Sequence, residues 1–291
     1  MIAEATKEKI KQLKKQFEEL KNGKESLLKI LDEAELPELV YNSNAIENST
    51  LTLKETERIL LEQAVMRDVT VRELFEAKNL ARVLEYLSTR PQLELTIENI
   101  LLLHQMLLGG ISDDYAGRLR KANEYVRVGS HIAPAPEHVQ QLLESLIDTY
   151  NSSHDQYFLD NIAHFHMEFE RIHPFCDGNG RIGRVLINHQ FATFGYPPVI
   201  VRNKSKHTDY YPLFSTYVDH QKYDDMSDLL VLALQESLHK RLAYLRGLKI
   251  MKLTDYANAN GFAPNAQLNA AKRQTIPAFR EKGVWKIGTD I

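Results

Sequence analysis

The sequence predicts a mainly helical, all-α protein, and three observations lead to this prediction. Apolar residues recur at steps of three and four along most of the chain, a spacing that places them on one face of a helix. Two Thr-x-x-Glu sequences, which begin at Thr52 and Thr70, match the pattern of an N-terminal helix cap. Strand signals are confined to residues 124–132 and to the end of the chain. We therefore expect a helical body with one short β-hairpin and a small C-terminal domain.

The positions of the helices follow from the spacing of the apolar residues. The N-terminal segment is expected to form an amphipathic helix, interrupted near Gly23, that carries Ile10, Leu13, Phe17 and Leu20. Further helices are predicted after each capping sequence and at residues 96–108, 136–150, 160–172, 181–194 and 227–245. The last of these is apolar on most of its surface, which indicates a largely buried helix.

Residues 124–132 carry the clearest strand signal. Val126 and Val128 alternate with polar residues beside a Gly-Ser turn, which is the pattern of a short β-hairpin. An exposed strand edge can pair with an extended peptide, which then adds a strand to the sheet. The hairpin, with Val126 and Val128, is therefore a candidate docking flap for a segment of another protein.

The C-terminal segment differs in charge from the rest of the chain. Residues 249–291 hold seven basic and three acidic residues, which gives this segment a charge of +4. Because the whole chain has a net charge of −3, the rest of the chain has a charge of −7. A short helix, a turn at Gly261, a second helix, and a final turn and strand are predicted, which is the layout of a small winged helix-turn-helix-like domain. The ending IPAFREKGVWKI resembles the wing of excisionase-like DNA-binding domains. Because +4 supports only weak attraction to a nucleic-acid backbone, DNA contact, dimerisation and target docking all stay open.

Composition excludes several classes of protein. A chain of 291 residues with 43% apolar content can bury a proper core, and its net charge of −3 gives no general attraction to nucleic acid or to anionic membranes. Cys176 is the single cysteine, so an internal disulfide is excluded and a reducing compartment fits best. The first residues are too charged for a signal peptide, and no apolar run reaches membrane-spanning length. We expect a soluble, cytoplasmic protein.

The segment HPFCDGNGRIGR, residues 173–184, is the strongest functional signal. Its GNGRIG part matches the dinucleotide fingerprint G-x-G-x-x-G, which requires a buried strand before the first glycine and an acidic residue about 20 residues later. Here a helix is predicted before the glycines, and Val201, Arg202 and Asn203 stand where the acid is needed. The dinucleotide-binding fold is therefore excluded.

A phosphate site explains the same residues better. A Gly-Asn-Gly turn at the start of a helix exposes backbone N–H groups, and the helix dipole adds to their attraction for an anion. Arg181 and Arg184 lie three residues apart in the first turn, and Arg suits bidentate contact with phosphate oxygens. Asp177 beside these cations is suited to holding Mg²⁺ against the phosphates. His173 is the one candidate for a general base in the motif.

The same twelve residues resemble the signature of the Fic family, H-P-F-x-[DE]-G-N-G-R-x-x-R, at each of its fixed positions. Residues 115–136 are similar to the family's flap hairpin with its trailing prolines, and residues 195–203 to the connection that follows the motif helix. The resemblance covers about residues 40–245 and implies a Fic-type helical core. It also implies a protein adenylyltransferase, which moves AMP from ATP to a hydroxyl side chain of a target protein.

The resemblance implies a role for each residue of the motif. His173 would deprotonate the Ser, Thr or Tyr hydroxyl of the target, and Asp177 would bind the Mg²⁺ that bridges two phosphates. The remaining residues would contact the phosphates of ATP. The backbone of Gly178, Asn179 and Gly180 would hold the anion, with the Asn179 side chain near the α-phosphate. Arg181 would contact the β-phosphate and Arg184 the γ-phosphate.

The resemblance also implies an adenosine pocket lined by Asn188 and by the aromatic pair Tyr210 and Tyr211. The chain departs from the family where many members have an Ala-Asn pair seven residues after the tyrosines, because it has Tyr217 and Val218 there. This departure puts the adenine contact and the choice of nucleotide in doubt.

A second motif lies upstream, in YNSNAIENST at residues 41–50. From composition alone it is an exposed loop before the helix at Thr52. The resemblance implies that Ser43 to Asn48 form the family's N-terminal, class II inhibitory motif, in which Glu47 pairs with Arg184 and keeps the γ-phosphate away from it. A charge-assisted, partly desolvated pair contributes about 1.5–3 kcal/mol, which reduces productive ATP binding roughly tenfold to a hundredfold.

Three segments are expected from these motifs: an N-terminal helical region with the inhibitory motif (1–110), a Fic catalytic core with its flap (111–248), and the small C-terminal domain (249–291). The expected partners are ATP with Mg²⁺ as cofactor and a target protein, with self-modification and a homodimer also expected. Two alternatives stay open. One is a transcriptional regulator whose core senses a nucleotide and whose C-terminal domain binds DNA, and the other is an enzyme that transfers phosphate or removes AMP on the same scaffold.

Overall fold

The structure is a computed structural model that describes residues 2–64, 68–129, 131–153 and 155–290. Ser130, in the predicted turn of the hairpin, lies outside the described residues. The prediction of an all-α body is confirmed, since the strands are short and few beside the helices in the described part of the chain. No helix in that part is both long and apolar enough to span a membrane.

The helices and strands occur in the following order. The helices are α1 (Glu4–Lys21), α2 (Glu25–Ile46), α3 (Leu53–Glu57), α4 (Val71–Ser88), α5 (Ile97–Leu108), α6 (Val139–Ser152), α7 (Phe158–Ile172), α8 (Asn179–Thr193), α9 (Tyr211–His220), α10 (Asp224–Leu245), α11 (Leu253–Ala259) and α12 (Pro264–Lys272). The strands are β1 (Arg127–Val128), β2 (His131–Ile132), β3 (Lys249–Lys252), β4 (Ala278–Glu281) and β5 (Val284–Thr289). Short π-helical turns occur at Arg58–Glu62 and Lys206–Tyr210, and 3₁₀ turns at Pro136–His138 and Asn203–Ser205.

Local sequence signals explain several helix ends. Thr52 and Thr70 each accept a hydrogen bond from the backbone N–H three residues later, and Glu55 and Glu73 reach back to the capping residues. Both predicted capping boxes are thus confirmed. The predicted interruption at Gly23 is also confirmed, because this residue separates α1 from α2 with a φ of +74°.

The first of two compact units comprises residues 37–195 and 200–227. Helix α8 lies at its centre and packs against α4, α5 and α7. Its apolar side chains are almost fully buried; they are Ile182, Val185, Leu186, Ile187 and Phe191. Because α8 begins directly after the HPFCDG sequence, this packing fixes the start of the helix, and with it the candidate phosphate site, inside a rigid core.

The second unit comprises residues 2–36, 196–199 and 228–291. Its three-stranded antiparallel sheet has the order β3-β5-β4. Helices α11 and α12 flank the predicted turn at Gly261, and a small core forms from Leu253, Ala271, Ala278 and Ile287. These elements have the predicted order of helix, turn, helix and strand, while the winged helix-turn-helix class stays a prediction.

The two units are assembled from several stretches of chain, and α2 and α10 each contribute residues to both. A division in chain order, at residues 110 and 248, therefore has no counterpart in this grouping. The three predicted segments stay a prediction from the sequence.

A buried ion cluster stabilises the second unit. Arg241 Nη2 donates to Glu35 Oε2 and to Asp32 Oδ1, each at 2.7 Å, and Lys240 Nζ donates to Glu35 Oε1 at 2.9 Å. Burial by itself raises the pKa of Glu35, but the two cations outweigh it and lower that pKa to about 2. Glu35 therefore joins α2 to α10 as a buried carboxylate that two cations share.

We predict that Glu35→Gln lowers the free energy of unfolding by about 3 kcal/mol, because it leaves two buried cations without their shared carboxylate. Asp32→Asn is the matched control, since Asp32 binds the same Arg241 but has 50% of its side chain exposed, and should cost less than about 1 kcal/mol. Urea unfolding at pH 7 measures both. The contribution of Glu35 should be lost as the pH falls from about 4.5 toward 2, because its pKa is lowered in the folded state. Equal losses for the two variants at pH 7 would contradict the prediction.

Candidate active site

The candidate site begins where α7 ends. His173 caps the helix with a left-handed backbone, φ +50°, and its N–H donates to Phe169 O at 2.9 Å. A left-handed residue at this position turns the chain away from the helix axis. The residues that follow therefore form a loop that leads directly into α8.

The His173 ring is held as a neutral base. Its Nδ1 lies 3.2 Å from Glu170 O, so an Nδ1–H donates to that carbonyl and the lone pair is on Nε2. Burial is the main cause that lowers the pKa of His173, to about 4; Arg120 acts in the same direction and the Glu170 carbonyl opposes it. At neutral pH the ring is uncharged, and Nε2 can accept a proton.

The loop after His173 is supported from α5. Phe175 is fully buried, and its ring stacks on that of His104 with 3.6 Å between centroids and 7° between planes. His104 Nε2 donates to Asp177 O at 2.9 Å, and its Nδ1 accepts from the N–H of Gly117 at 3.1 Å. Burial lowers the pKa of His104 to about 4, which agrees with this neutral donor–acceptor role.

Asn179 also supports the loop. Its Oδ1 accepts from the N–H of Phe175 and its Nδ2 donates to Phe175 O, both at 2.9 Å, and the residue is 2% exposed. Both ends of the amide are therefore bonded to the loop backbone, and the position of this side chain near the α-phosphate stays a prediction. Gly178, with φ +85°, is the N-cap of α8. The first N–H groups of the helix, which have no partner within the helix, therefore follow directly on this loop.

Asp177 and Arg181 belong to an alternating network of charges. Arg181 Nη2 donates to Asp177 Oδ1 at 2.9 Å, and its Nη1 lies 3.2 Å from Glu76 Oε1. Arg72, from the first turn of α4, donates to Asp177 Oδ2 at 2.8 Å and to Glu76 Oε1 at 3.0 Å. Burial would raise the pKa of Asp177, but Arg181 and Arg72 outweigh it and lower that pKa.

The metal prediction can be tested against these donors. No group of three or more His, Cys, Asp or Glu side chains that could hold a metal ion occurs in the described residues. Mg²⁺ that binds with a nucleotide needs only one or two protein carboxylates, because phosphates and water complete its octahedron. Asp177, ionised and 34% exposed, fits that requirement.

Arg184 is engaged differently from Arg181. It donates from Nε to Ser43 Oγ at 3.0 Å and from Nη2 to Ser43 O at 2.9 Å and Glu47 Oε1 at 2.8 Å. The Arg184 side chain is buried, and burial lowers its pKa, but the charge of Glu47 outweighs this and the pKa is raised. The predicted contact between Glu47 and Arg184 is therefore present.

The Glu47 carboxylate also lies against the start of α8. A Cβ on residue 180 would overlap Glu47 Oε1 and would come within 3.0 Å of Arg184 Nη1. Only glycine leaves room for the carboxylate at this position. An anion from the chain itself thus lies next to Gly180, where the sequence predicts that a phosphate is held.

Residues 94–191, which include the whole of the loop and most of α8, match the family model described as the Fic/DOC family. The chain contains a Fic domain.

Curated relatives and a solved structure agree with this match. The protein adenylyltransferase Fic of Drosophila persimilis is 33% identical over 176 residues, which cover 59% of this chain and 34% of that protein. The protein of the same name from Nematostella vectensis is 33% identical over 177 residues, covering 59% of this chain and 41% of that protein. The chain thus spans less than half the length of these relatives. The crystal structure of a Fic domain containing signaling protein from Bacteroides thetaiotaomicron has a TM-score of 0.74 at 25% identity, and the match covers 82% of this chain and 97% of that one.

The three residues predicted to line an adenosine pocket lie in α8, in the π-helical turn before α9 and at the start of α9. Tyr210 is buried, its hydroxyl is 2.8 Å from His166 Nε2, and the Arg184 guanidinium lies 6.0 Å from the centre of its ring. Tyr211 donates from its hydroxyl to Ile46 O at the end of α2. Asn188 lies in the middle of α8 and is half-buried.

Tyr217 and Val218, which replace the Ala-Asn pair of many family members, differ in burial. Tyr217 is buried and donates from its hydroxyl to Glu168 Oε2 at 2.8 Å, so its polar end is directed to α7. Val218 is 36% exposed. Neither position offers the amide that the family pattern supplies at this point.

The predicted flap is shorter than expected but firmly anchored. The strands comprise only Arg127–Val128 and His131–Ile132, so Val126 lies just outside β1, although its carbonyl still accepts from Ala133 N–H at 3.0 Å. The buried Arg120 connects the base of the flap to the loop that begins at His173, because it donates to Pro134 O and to His173 O, both at 2.8 Å.

Five residues of the site were missed by reasoning from the sequence: Arg72, Glu76, His104, Arg120 and Glu170. Arg72 and Glu76 are four residues apart in a predicted helix, where such a pair is usually solvated. His104 stands in an apolar helix, in which a histidine is commonly a packed core residue. The contacts that bring these residues into the site are with Asp177, Arg181 and Phe175, which lie far away in the chain. Local spacing therefore carries no signal for them.

Glu170 is a buried carboxyl group in the last turn of α7, three residues before His173. Its Oε1 has no hydrogen-bond partner among the described residues, and a Cβ on residue 183 would come within 2.5 Å of it. Burial and the charge of Glu47 raise the pKa of Glu170 to about 8, against the opposing charge of Arg184. The folded protein therefore keeps this carboxyl protonated at neutral pH.

We predict that the free energy of unfolding of Glu170→Gln, relative to that of the wild type, increases by about 2 kcal/mol between pH 6 and pH 8. The pKa of Glu170 is raised on folding, so the folded state binds the extra proton between about pH 4.5 and pH 8 and loses stability as the pH rises. Urea unfolding across this range measures the difference. Glu168→Gln is the control: the pKa of Glu168 is lowered, mainly because Arg171 and Tyr217 outweigh burial, so it should show no such trend. A constant difference for Glu170→Gln would show that this carboxyl is already ionised.

Proposed function

We propose that this protein is an autoinhibited protein adenylyltransferase, which transfers AMP from ATP to a Ser, Thr or Tyr hydroxyl of a target protein. The observation that carries the proposal is the neutral His173, with its lone pair on Nε2, on a rigid loop that ends at the N-terminus of α8. This arrangement puts a general base next to an anion-binding helix end. The name of the curated relatives, protein adenylyltransferase Fic, supports the same reaction.

In the proposed reaction, His173 Nε2 takes the proton of the target hydroxyl as its oxygen attacks the α-phosphorus. The bond between the α-phosphorus and the bridging oxygen breaks, and pyrophosphate leaves. The backbone N–H groups of Gly178, Asn179 and Gly180, with Arg181 and Arg184, would hold the phosphate oxygens. Asp177 would hold Mg²⁺, which neutralises charge on the phosphates when it is bound.

Tyr210, Tyr211 and Asn188 would contact adenosine, and the flap with Val126 and Val128 would hold the target segment. Val128 is 43% exposed, and Arg120 fixes the base of the flap to the carbonyl of His173. A peptide added along this edge would therefore be held at a fixed distance from the base. Self-modification, a homodimer and DNA contact by residues 249–291 belong to the same proposal as further expectations.

The alternative of a transcriptional regulator with an inactive core is not favoured. An inactive core has no need of a buried, neutral histidine whose ring is oriented by a backbone carbonyl. Removal of AMP from a modified target by the same site is a second candidate, because the Glu47 carboxylate beside Gly180 could orient a water molecule toward a bound AMP.

We predict that His173→Ala lowers the rate of AMP transfer by about 10²–10⁴-fold, because the general base is removed. ATP binding should persist, since the phosphate ligands are unchanged. Transfer is measured with α-labelled ATP and a cell lysate, and ATP binding by calorimetry. His138→Ala, which changes an exposed histidine outside the site, is the control. Undiminished transfer in His173→Ala would rule out the assignment of the base.

We predict that Glu47→Gly raises self-labelling about tenfold or more, because Arg184 is released for the γ-phosphate. Arg184→Ala should not reproduce this increase, since it removes a phosphate ligand together with the ion pair. The double variant should therefore be slower than Glu47→Gly. If Glu47→Gly is no faster than the wild type, the contact between Glu47 and Arg184 is structural and not inhibitory.

A further inference from the structure

The C-terminus of α2 is held by a lysine from a distant part of the chain. Lys206 Nζ donates to Ala45 O at 2.8 Å, to Ile46 O at 3.1 Å and to Asn48 Oδ1 at 3.0 Å. The last carbonyls of a helix have no partner within the helix, and the helix dipole makes this end negative. Ala45 O also accepts from the N–H of Asn48 at 3.2 Å and Ile46 O from the Tyr211 hydroxyl, so the ammonium group adds further hydrogen bonds and a favourable charge to this helix end.

Glu47 is the first residue after this helix end. Asn48, which follows it, has a left-handed backbone with φ +67°, so the chain turns sharply directly beyond the carboxylate. The Glu47 side chain is 39% exposed, and its position over Arg184 depends on where the last turn of α2 ends. Helix ends open readily when their terminal carbonyls have no partners.

The segment 206–211 lies beside the residues on either side of Glu47 and beside Arg184. Lys206 and Tyr211 bind the end of α2 that directly precedes Glu47, and the ring of Tyr210 lies 6.0 Å from the Arg184 guanidinium. Residues 206–210 form a π-helical turn, a rare geometry that is frequent at functional sites. One short segment is therefore placed to influence how the carboxylate meets the arginine.

We propose that Lys206 is a positioning residue of the inhibited state: it clamps the end of α2 and so keeps Glu47 on Arg184. This inference rests on the proposed function, in which the pair blocks the γ-phosphate. Lys206 does not contact a reacting atom. It acts through the position of Glu47 alone, so its effect disappears when Glu47 is absent.

The test compares Lys206→Met with Lys204→Met. Methionine keeps an unbranched, apolar side chain as far as the ε position and lacks the ammonium group, and Lys204 is an exposed lysine two residues away. Lys206→Met should raise self-labelling with α-labelled ATP about tenfold, equivalent to ~1.4 kcal/mol, while Lys204→Met should match the wild type. In the Glu47→Gly background, Lys206→Met should add nothing. An increase of equal size in both backgrounds, or no increase in either, would overturn the inference.

Hydrogen exchange at the amides of residues 44–49 tests, independently of activity, whether Lys206 holds the end of α2. Exchange there should be about tenfold faster in Lys206→Met than in Lys204→Met, because the helix end opens more often. Unchanged exchange overturns the inference, whatever the labelling shows. If Glu47→Gly does not label faster than the wild type, the proposed inhibition fails, and faster exchange would still establish the clamp on α2. If Glu47→Gly labels faster and Lys206→Met does not, only the role of Lys206 fails.

Discussion

The start of α8 gathers positive charge where water reaches poorly, and the structure around it is arranged to neutralise that charge. Arg181 and Arg184 are buried in the first turns of the helix, whose own dipole adds to the positive potential. A buried cation without an anion destabilises a protein by several kcal/mol. The chain therefore supplies Glu76 and Asp177 for Arg181, and Glu47 for Arg184. In the proposed function, a bound phosphate would replace some of these contacts, which would tie ligand binding to the release of the chain's own carboxylates.

The shape of the loop, by contrast, depends on groups that do not change charge. Neutral His104 and Asn179 hydrogen-bond to the backbone of the loop, and Arg120 binds the carbonyls of Ile172 and His173. These bonds are local to the loop and do not involve the carboxylates that phosphates would displace. The His173 ring can therefore keep its orientation while ion pairs in the site are exchanged.

Local patterns were sufficient for most helices of the core. The capping boxes at Thr52 and Thr70 and the apolar spacing of α5 and α7 involve residues three or four apart, which the sequence displays directly. Composition failed at residues 41–46, which belong to the polar segment interpreted as a loop but form the end of α2. The partners that hold this helix end, Lys206 and Tyr211, come from about 160 positions further along the chain. No local spacing could indicate them.

By itself, the sequence determined the order of the motif, the base, the carboxylate and the glycines, because each of these needs a particular residue type at a fixed spacing. The tertiary structure alone decided which further charges meet Asp177 and Arg181. Arg72 and Glu76 join the site because α4 packs on α8, and Asn179 holds the loop because its amide reaches Phe175. Side-chain pairing in a buried site is set by packing between helices that are distant in sequence, and a spacing pattern holds no information about that packing.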